Sequence, residues 1–179
     1  MPLGYGGGIR TLADAKSVFD IGFEKIAVNS YAVENPEFIS HLAEIYGSQS
    51  IIVSIDVKMN FWGHYRVCIY SGRKMTNYDP VVWAQTLEKK GAGEILLTSV
   101  DREGTWAGFD LDLVKQVAAA VNIPVIAHGG AGAVAHIGEV VKKAGASAVA
   151  LGSMVVFQKK GMGVLVNFPD HQQLKEVLG

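Results

Sequence analysis

Cysteine is nearly missing from this chain: Cys68 is the one thiol in 179 residues. A single cysteine excludes an internal disulfide framework and suits a reducing compartment, so a cytoplasmic location is expected. It stands within Arg66-Val67-Cys68-Ile69-Tyr70, a setting that favours packing over catalysis. Net charge is nearly missing too, at −1, which leaves no footprint for nucleic acid or an anionic membrane. No run of about 18 apolar residues occurs, so no membrane-spanning helix is expected. A basic stretch followed by an apolar one is also lacking, so no signal peptide is expected. The histidines His41, His64, His128, His136 and His171 are scattered, with no second ligand at metal-binding spacing. No metal and no cofactor are therefore expected. What remains is a chain that is 49% hydrophobic, enough for one sizeable core and one domain spanning 1–179.

Glycine, by contrast, is abundant and ordered. Gly6-Gly7-Gly8-Ile9 is followed by a helical run and then by Lys25-Ile26-Ala27-Val28-Asn29-Ser30. Gly129-Gly130-Ala131-Gly132 is followed by a helical run and then by Ala148-Val149-Ala150-Leu151-Gly152-Ser153. A shift of 123 positions lays Gly6 on Gly129, Gly7 on Gly130, Gly22 on Gly145, Ala27 on Ala150 and Ser30 on Ser153. Each copy reads strand, glycine turn, helix, apolar strand, small polar residue. Glycine lets the backbone approach a ligand and leaves N–H groups open, so each copy can cradle one phosphate. The alternative is a pair of strand-to-helix turns that need glycine only for geometry. A matched pair at a fixed offset is architectural, and it favours a ligand with a phosphate at each end.

Taken in order, the chain alternates strands and helices. Strands are expected at residues 2–5, 26–29, 50–55, 94–98, 124–127 and 148–151. The third, Ile51-Ile52-Val53-Ser54-Ile55, reads as buried on both faces. Helices are expected from Thr11 to Asp20, from Asn35-Pro36 to Gly47, from Asp79-Pro80 to Gly91, from Asp110 to Val121, from Val134 to Lys143 and from Gln172 to Leu178. The second carries Phe38, Ile39, Leu42 and Ile45 as a buried stripe. Residues 57–78 break the rhythm: Tyr65–Tyr70 is an extended arm and Ser71-Gly72-Arg73-Lys74 a turn or flap. Residues 158–169 read as irregular. Six buried-type strands alternating with helices give an α/β fold with a parallel sheet. A TIM barrel has eight strands in about 250 residues. This chain is two units short and begins on a strand, which suggests a start inside a longer barrel.

Polar residues cluster after the strands, where TIM barrels and doubly wound sheets keep their sites. Asp56 ends the most apolar strand and can serve as general acid or base; it can equally cap a neighbouring loop. The loop Thr98-Ser99-Val100-Asp101-Arg102-Glu103-Gly104-Thr105 offers Asp101 as an orienting group or base. Its Glu103-Gly104-Thr105 segment can cover a phosphate. It can also be a solvated loop with an internal Asp101–Arg102 or Arg102–Glu103 pair. His128 precedes the second glycine turn, where a lone histidine is usually structural. Ser71, Arg73 and Lys74 can close over a ligand, but a surface hairpin is the favoured reading. Lys25 and Glu94 are charges at strand beginnings, the stabilising face of a barrel.

Taken together these stretches resemble the cyclase subunit of imidazole glycerol phosphate synthase. The resemblance rests on Gly6-Gly7-Gly8-Ile9, Asn29-Ser30-Tyr31-Ala32-Val33-Glu34-Asn35-Pro36, Ile55-Asp56-Val57-Lys58, Gly91 to Ser99, Asp101-Arg102-Glu103-Gly104-Thr105 and Gly129-Gly130-Ala131-Gly132. It implies a TIM (β/α)8 barrel of two similar halves, of which this chain covers the third to eighth units. It implies a lyase-type cyclase of histidine biosynthesis. That enzyme uses ammonia from a glutaminase partner and a bis-phosphate aminoimidazole carboxamide ribulosyl ribonucleotide. By the same resemblance, Gly8, Asn29 and Ser30 hold one phosphate. Glu103, Gly104, Gly129, Gly130, Gly152 and Ser153 hold the other. Asp56 is the second of two catalytic aspartates, and Thr98, Asp101 and Ser71 line the cleft. Lys25 and Glu94 form half of an ammonia gate, and Glu24 faces the partner.

The first catalytic aspartate has no counterpart in this chain, so impaired catalysis is expected. Ser30 stands for a usual Thr, Glu103 for a usual Asp and His128 for a usual Ser, and the tail Phe157 to Asn167 also differs. These departures suit a paralogue that supplies ammonia for an amidino sugar in surface-glycan synthesis. A third possibility is a non-catalytic, phosphate-binding partial barrel. In every case the open sheet edges lead to an expectation of self-association.

Overall fold

The computed structural model describes residues 3–157 and 163–179. Six strands form one parallel path in the order β1 (Gly4–Gly6), β2 (Lys25–Val28), β3 (Ile51–Met59), β6 (Glu94–Ser99), β7 (Val125–His128), β8 (Ala148–Val149). The two short strands β4 (Tyr65–Ile69) and β5 (Lys74–Met75) are antiparallel and extend from β3. Helices α1 (Leu12–Asp20), α2 (Ser30–Glu34), α3 (Glu37–Tyr46), α4 (Pro80–Lys89), α5 (Leu111–Ala118), α6 (Val134–Ala144), α7 (Ser153–Val156) and α8 (His171–Leu178) alternate with the strands. The fold is a partial TIM barrel: a curled parallel sheet with its helices on one side.

Local chemistry sets the helix starts. Thr11 Oγ1 accepts from Asp14 N at 3.1 Å while Asp14 Oδ2 accepts from Thr11 N at 2.8 Å, closing a capping box on α1. The backbone N–H of Arg10, which donates to Asp14 Oδ2 at 3.0 Å, and then the bonds from Thr11 hold the Asp14 carboxyl below its usual range. Asp79 Oδ1 accepts from Val81 N and Val82 N ahead of α4, whose first residue is Pro80. Asp110 and Asp170 cap α5 and α8 in the same way.

Burial along β3 alternates strictly. Ile51, Val53, Ile55 and Val57 are fully buried, while Ile52, Ser54, Asp56 and Lys58 are half-buried. The expectation of burial on both faces is therefore corrected. One face packs in the core with Ile39, Leu42 and Leu87 of the helices. The other lines the inside of a trough that the six strands leave open. β3 also runs to Met59, because pairing with β4 continues it past the parallel sheet.

Three other expectations change. Ile45 is 56% exposed. The stripe of α3 is Phe38, Ile39, Leu42 and Tyr46, whose ring packs on Phe19 at 4.3 Å, and Ile45 lies one residue off that line. β8 stops at Val149, although Ala150 N still donates to Ala127 O. The turns after β2 and β8 coil into α2 and α7, two short helices that no periodicity announces. The expected irregular stretch 158–169 lies partly outside the described residues, at 158–162. Beyond it Leu165 N and Asn167 N donate back to Val156 O and Val155 O.

Leu42 is fully buried between helix and sheet. Leu42→Ala is expected to cost about 2–5 kcal/mol of stability, read from the midpoint of urea unfolding.

Candidate functional site at the carboxyl ends of the strands

The register of the sheet sets three chemically capable side chains in one row. Asp56 of β3 pairs with Thr98 of β6, and Thr98 pairs with His128 of β7. Thr98 Oγ1 lies 3.1 Å from His128 Nδ1. Burial pushes the Asp56 carboxyl above its usual range. Hydrogen bonds from Asn29, Ser54 and Thr98 and the positive charge that His128 can carry pull it back in part. A half-buried carboxyl with a raised pKa is better suited to proton transfer than a fully solvated one.

On one side of this row lies a cleft of about 430 Å³, within the range of small-ligand sites. Gly7, Gly8, Asn29, Ser30, Asp56 and Ser71 are among its lining. Gly7 and Gly8 hold φ of +114° and +74°, which turns the chain sharply at the end of β1. Ser30 Oγ accepts from Tyr70 N at 3.0 Å, so the flap after β4 is tied onto the cradle. Tyr70 and Ser71 take left-handed φ near +57° to do this. The segment is the surface hairpin between β4 and β5, with Arg73 and Lys74 exposed and outside the cleft; Tyr70 and Ser71 line the cleft at its near end.

On the other side Glu103, Gly104, His128, Gly129, Gly130, Gly152 and Ser153 converge on a smaller cavity of about 10 Å³. Gly129 and Gly130 take φ of +93° and +103°, and Gly130 O accepts from Gly108 N at 2.8 Å. Glu103 Oε2 lies 3.5 Å from His128 Nε2. The internal Asp101–Arg102 and Arg102–Glu103 pairs considered from the sequence do not occur: Asp101 Oδ2 accepts from Met59 N at 2.8 Å and Glu103 meets His128. Asp101 thus braces the turn end of the β3–β4 hairpin.

The repeat in the sequence is also a repeat in the backbone. Asn29 has φ −117° and ψ −97°, and Gly152, its counterpart at the 123-residue offset, has φ −110° and ψ −98°. Each is followed by a serine that opens a short helix. The two cradles lie at the β1/β2 and β7/β8 ends of the path. Four strand spacings separate them, roughly 19 Å along the curve.

At the opposite, amino end of the strands the Lys25 ammonium pairs with the Glu94 carboxylate across the inside of the trough. Glu24 beside it is exposed. Cys68 is buried, its Sγ donating to Asp56 O at 3.4 Å, and burial pushes its thiol up to about 11. That leaves it packed and unreactive at neutral pH. Arg10 and Tyr70 also line the larger cleft. Sequence reasoning passed over Arg10, although it follows the first glycine turn by one residue. Among the described residues no group of three or more His, Cys, Asp or Glu could hold a metal ion.

A family model described as histidine biosynthesis protein matches residues 1–160. A protein of Pseudomonas aeruginosa, provisionally named imidazole glycerol phosphate synthase subunit hisF2, is 43% identical over 174 residues, covering 97% of this chain and 69% of its own. Imidazole glycerol phosphate synthase subunit HisF of Pyrobaculum aerophilum is 48% identical over 158 residues, 88% of this chain and 62% of its own. The subunit of the same name in Clostridium botulinum is 44% identical over 169 residues, 94% and 67% respectively. The chain thus spans between 62% and 69% of the length of these relatives.

Proposed function

The chain belongs to the histidine biosynthesis protein family, and on that premise we propose that it carries the cyclase activity of imidazole glycerol phosphate synthase. The substrate is the bis-phosphate aminoimidazole carboxamide ribulosyl ribonucleotide, and ammonia is the second reactant. The single observation that carries the reading is the pair of repeat-related cradles with Asp56 between them. Gly8, Asn29 and Ser30 seat one phosphate; Gly104, Gly129, Gly130, Gly152 and Ser153 seat the other. Asp56 then moves protons as ammonia adds and the ring closes. Its raised pKa suits both the acid and the base role. The test is product formation from this substrate with an ammonium salt, followed by chromatography of imidazole glycerol phosphate.

The glutaminase partner docks on the amino-end face, near Glu24. The Lys25–Glu94 pair stands where ammonia would enter the trough. Lys25→Ala is expected to change the ratio of glutamine-driven to ammonium-driven turnover severalfold, measured with the glutaminase subunit present. A change in both rates by the same factor would remove the gate. We place the protein in the cytoplasm; no helix among the described residues is long and apolar enough to cross a membrane.

A second reading is favoured by His128 and its pairing with Glu103 inside one cradle. In that reading the ammonia goes to a nucleotide-linked sugar and makes an amidino sugar. Competition between the two ligands for this chain separates the readings.

The outer edges of β1 and β8 are unpaired among the described residues, and Tyr5 and Ile21 near the first are 43% and 75% exposed. Such edges recruit another strand. Self-association is expected in sedimentation, and a stable 19.1 kDa monomer would contradict it.

A further inference from the structure

The second cradle is nearly full. Its open volume of about 10 Å³ is the room of roughly one water, and a phosphate carries four oxygens. One of the groups that line it is itself an anion, the Glu103 carboxylate. A methyl group built on Gly152 would lie 3.8 Å from both Glu103 Oε1 and His128 Nε2. The carboxylate and the imidazole edge therefore meet over Gly152, inside the turn of Gly129 and Gly130. The other ring nitrogen, Nδ1, is engaged by Thr98 Oγ1 at 3.1 Å. That contact fixes the ring plane and aims Nε2 into the cradle. Glu103 is exposed and rides on the loop after β6, with Gly104 at φ +68° and open space beside it. It is free to swing outward.

Resting on the two-cradle reading above, we infer that Glu103 is an internal stand-in for the ligand's phosphate. It plugs the second cradle through His128, and an arriving phosphate displaces it and takes over His128 Nε2. His128 is then a phosphate-positioning residue, and Glu103 sets how tightly the cradle binds. The charged groups facing His128 are Glu103 from the β6 loop and Asp56 from β3. Only the first competes for Nε2. Removing a competing carboxylate from an anion site strengthens anion binding, because like charges no longer share one donor.

The test is titration of the full chain with inorganic phosphate, followed by NMR of the Gly129 and Gly130 amides and the His128 ring nitrogens. Glu103→Gln is expected to tighten phosphate binding about 3- to 10-fold, keeping the side chain's length without its charge. His128→Ala is expected to weaken it about tenfold. His128→Gln, whose amide nitrogen reaches close to the same place, is expected to recover part of the loss. Movement of the His128 Nε2 signal together with the two amides completes the expected pattern. If the amides respond but Glu103→Gln leaves binding unchanged or weaker, this inference is overturned while the cradle stands. If the amides of Glu103→Gln do not respond to phosphate, the cradle reading fails and this inference fails with it.

Discussion

On the proposed cyclase reading, Asp56→Asn is expected to lower ammonia-driven turnover by about 10²–10⁴-fold while leaving ligand affinity within a few-fold, the loss of a general acid–base group. Asn is close to Asp in shape, so the trough keeps its form. The same change is expected to raise stability at neutral pH. Burial raises the Asp56 pKa in the folded state above its unfolded value, so the folded protein holds the proton more tightly. The stability tied to that proton is fully present below the unfolded pKa and is lost as pH rises through the folded one. At pH 7 the native chain bears the cost of a half-buried charge, and Asn removes it. A thermal melt at pH 7 should therefore move up for the variant, and the gap between the two should shrink toward pH 4. A variant that is slower but no more stable would place the carboxylate in a better solvated setting than the trough provides.

Gly129→Ala is expected to be as severe for a different reason. Gly129 sits at φ +93°, and a Cβ there would meet Ser99 O at 2.6 Å. The obstacle is backbone of the neighbouring strand end, which cannot turn aside. The left-handed conformation costs about 1–2 kcal/mol for a residue with a side chain, and the collision adds to it. A loss of about 3–5 kcal/mol is expected in urea unfolding, with loss of ligand at the second cradle. Gly104→Ala is the control, at φ +68° with open space around it. It meets only the conformational cost, about 1 kcal/mol. Equal losses in the two variants would contradict the close packing of the Gly129 turn on β6.

Much of the architecture was legible because two periodicities rarely conflict in this chain. Apolar β-branched runs such as Ile51–Ile55 marked strands, and Thr11, Asp79 and Asp110 marked helix starts that prove to be capped as expected. The glycine repeat marked residues that line both cavities. α2 and α7 were hidden because five and four residues are too few to show a period. The one-sided burial of β3 was hidden because an apolar run looks the same whether its second face meets a closed core or an open trough. The Asp56–Thr98–His128 row is a matter of register between strands more than 25 residues apart, which no local pattern encodes. The Glu103–His128 contact has the same origin, and so His128 looked like an isolated histidine.

The measurement that tests the account most directly is calorimetric binding of the bis-phosphate ribulosyl ribonucleotide to three proteins: the chain itself, Ser30→Ala and Ser153→Ala. The account predicts one ligand per chain, bound more weakly when either serine is lost, because each cradle holds one end. Binding that is absent, or that responds to one serine and ignores the other, would contradict a trough built to span two phosphates.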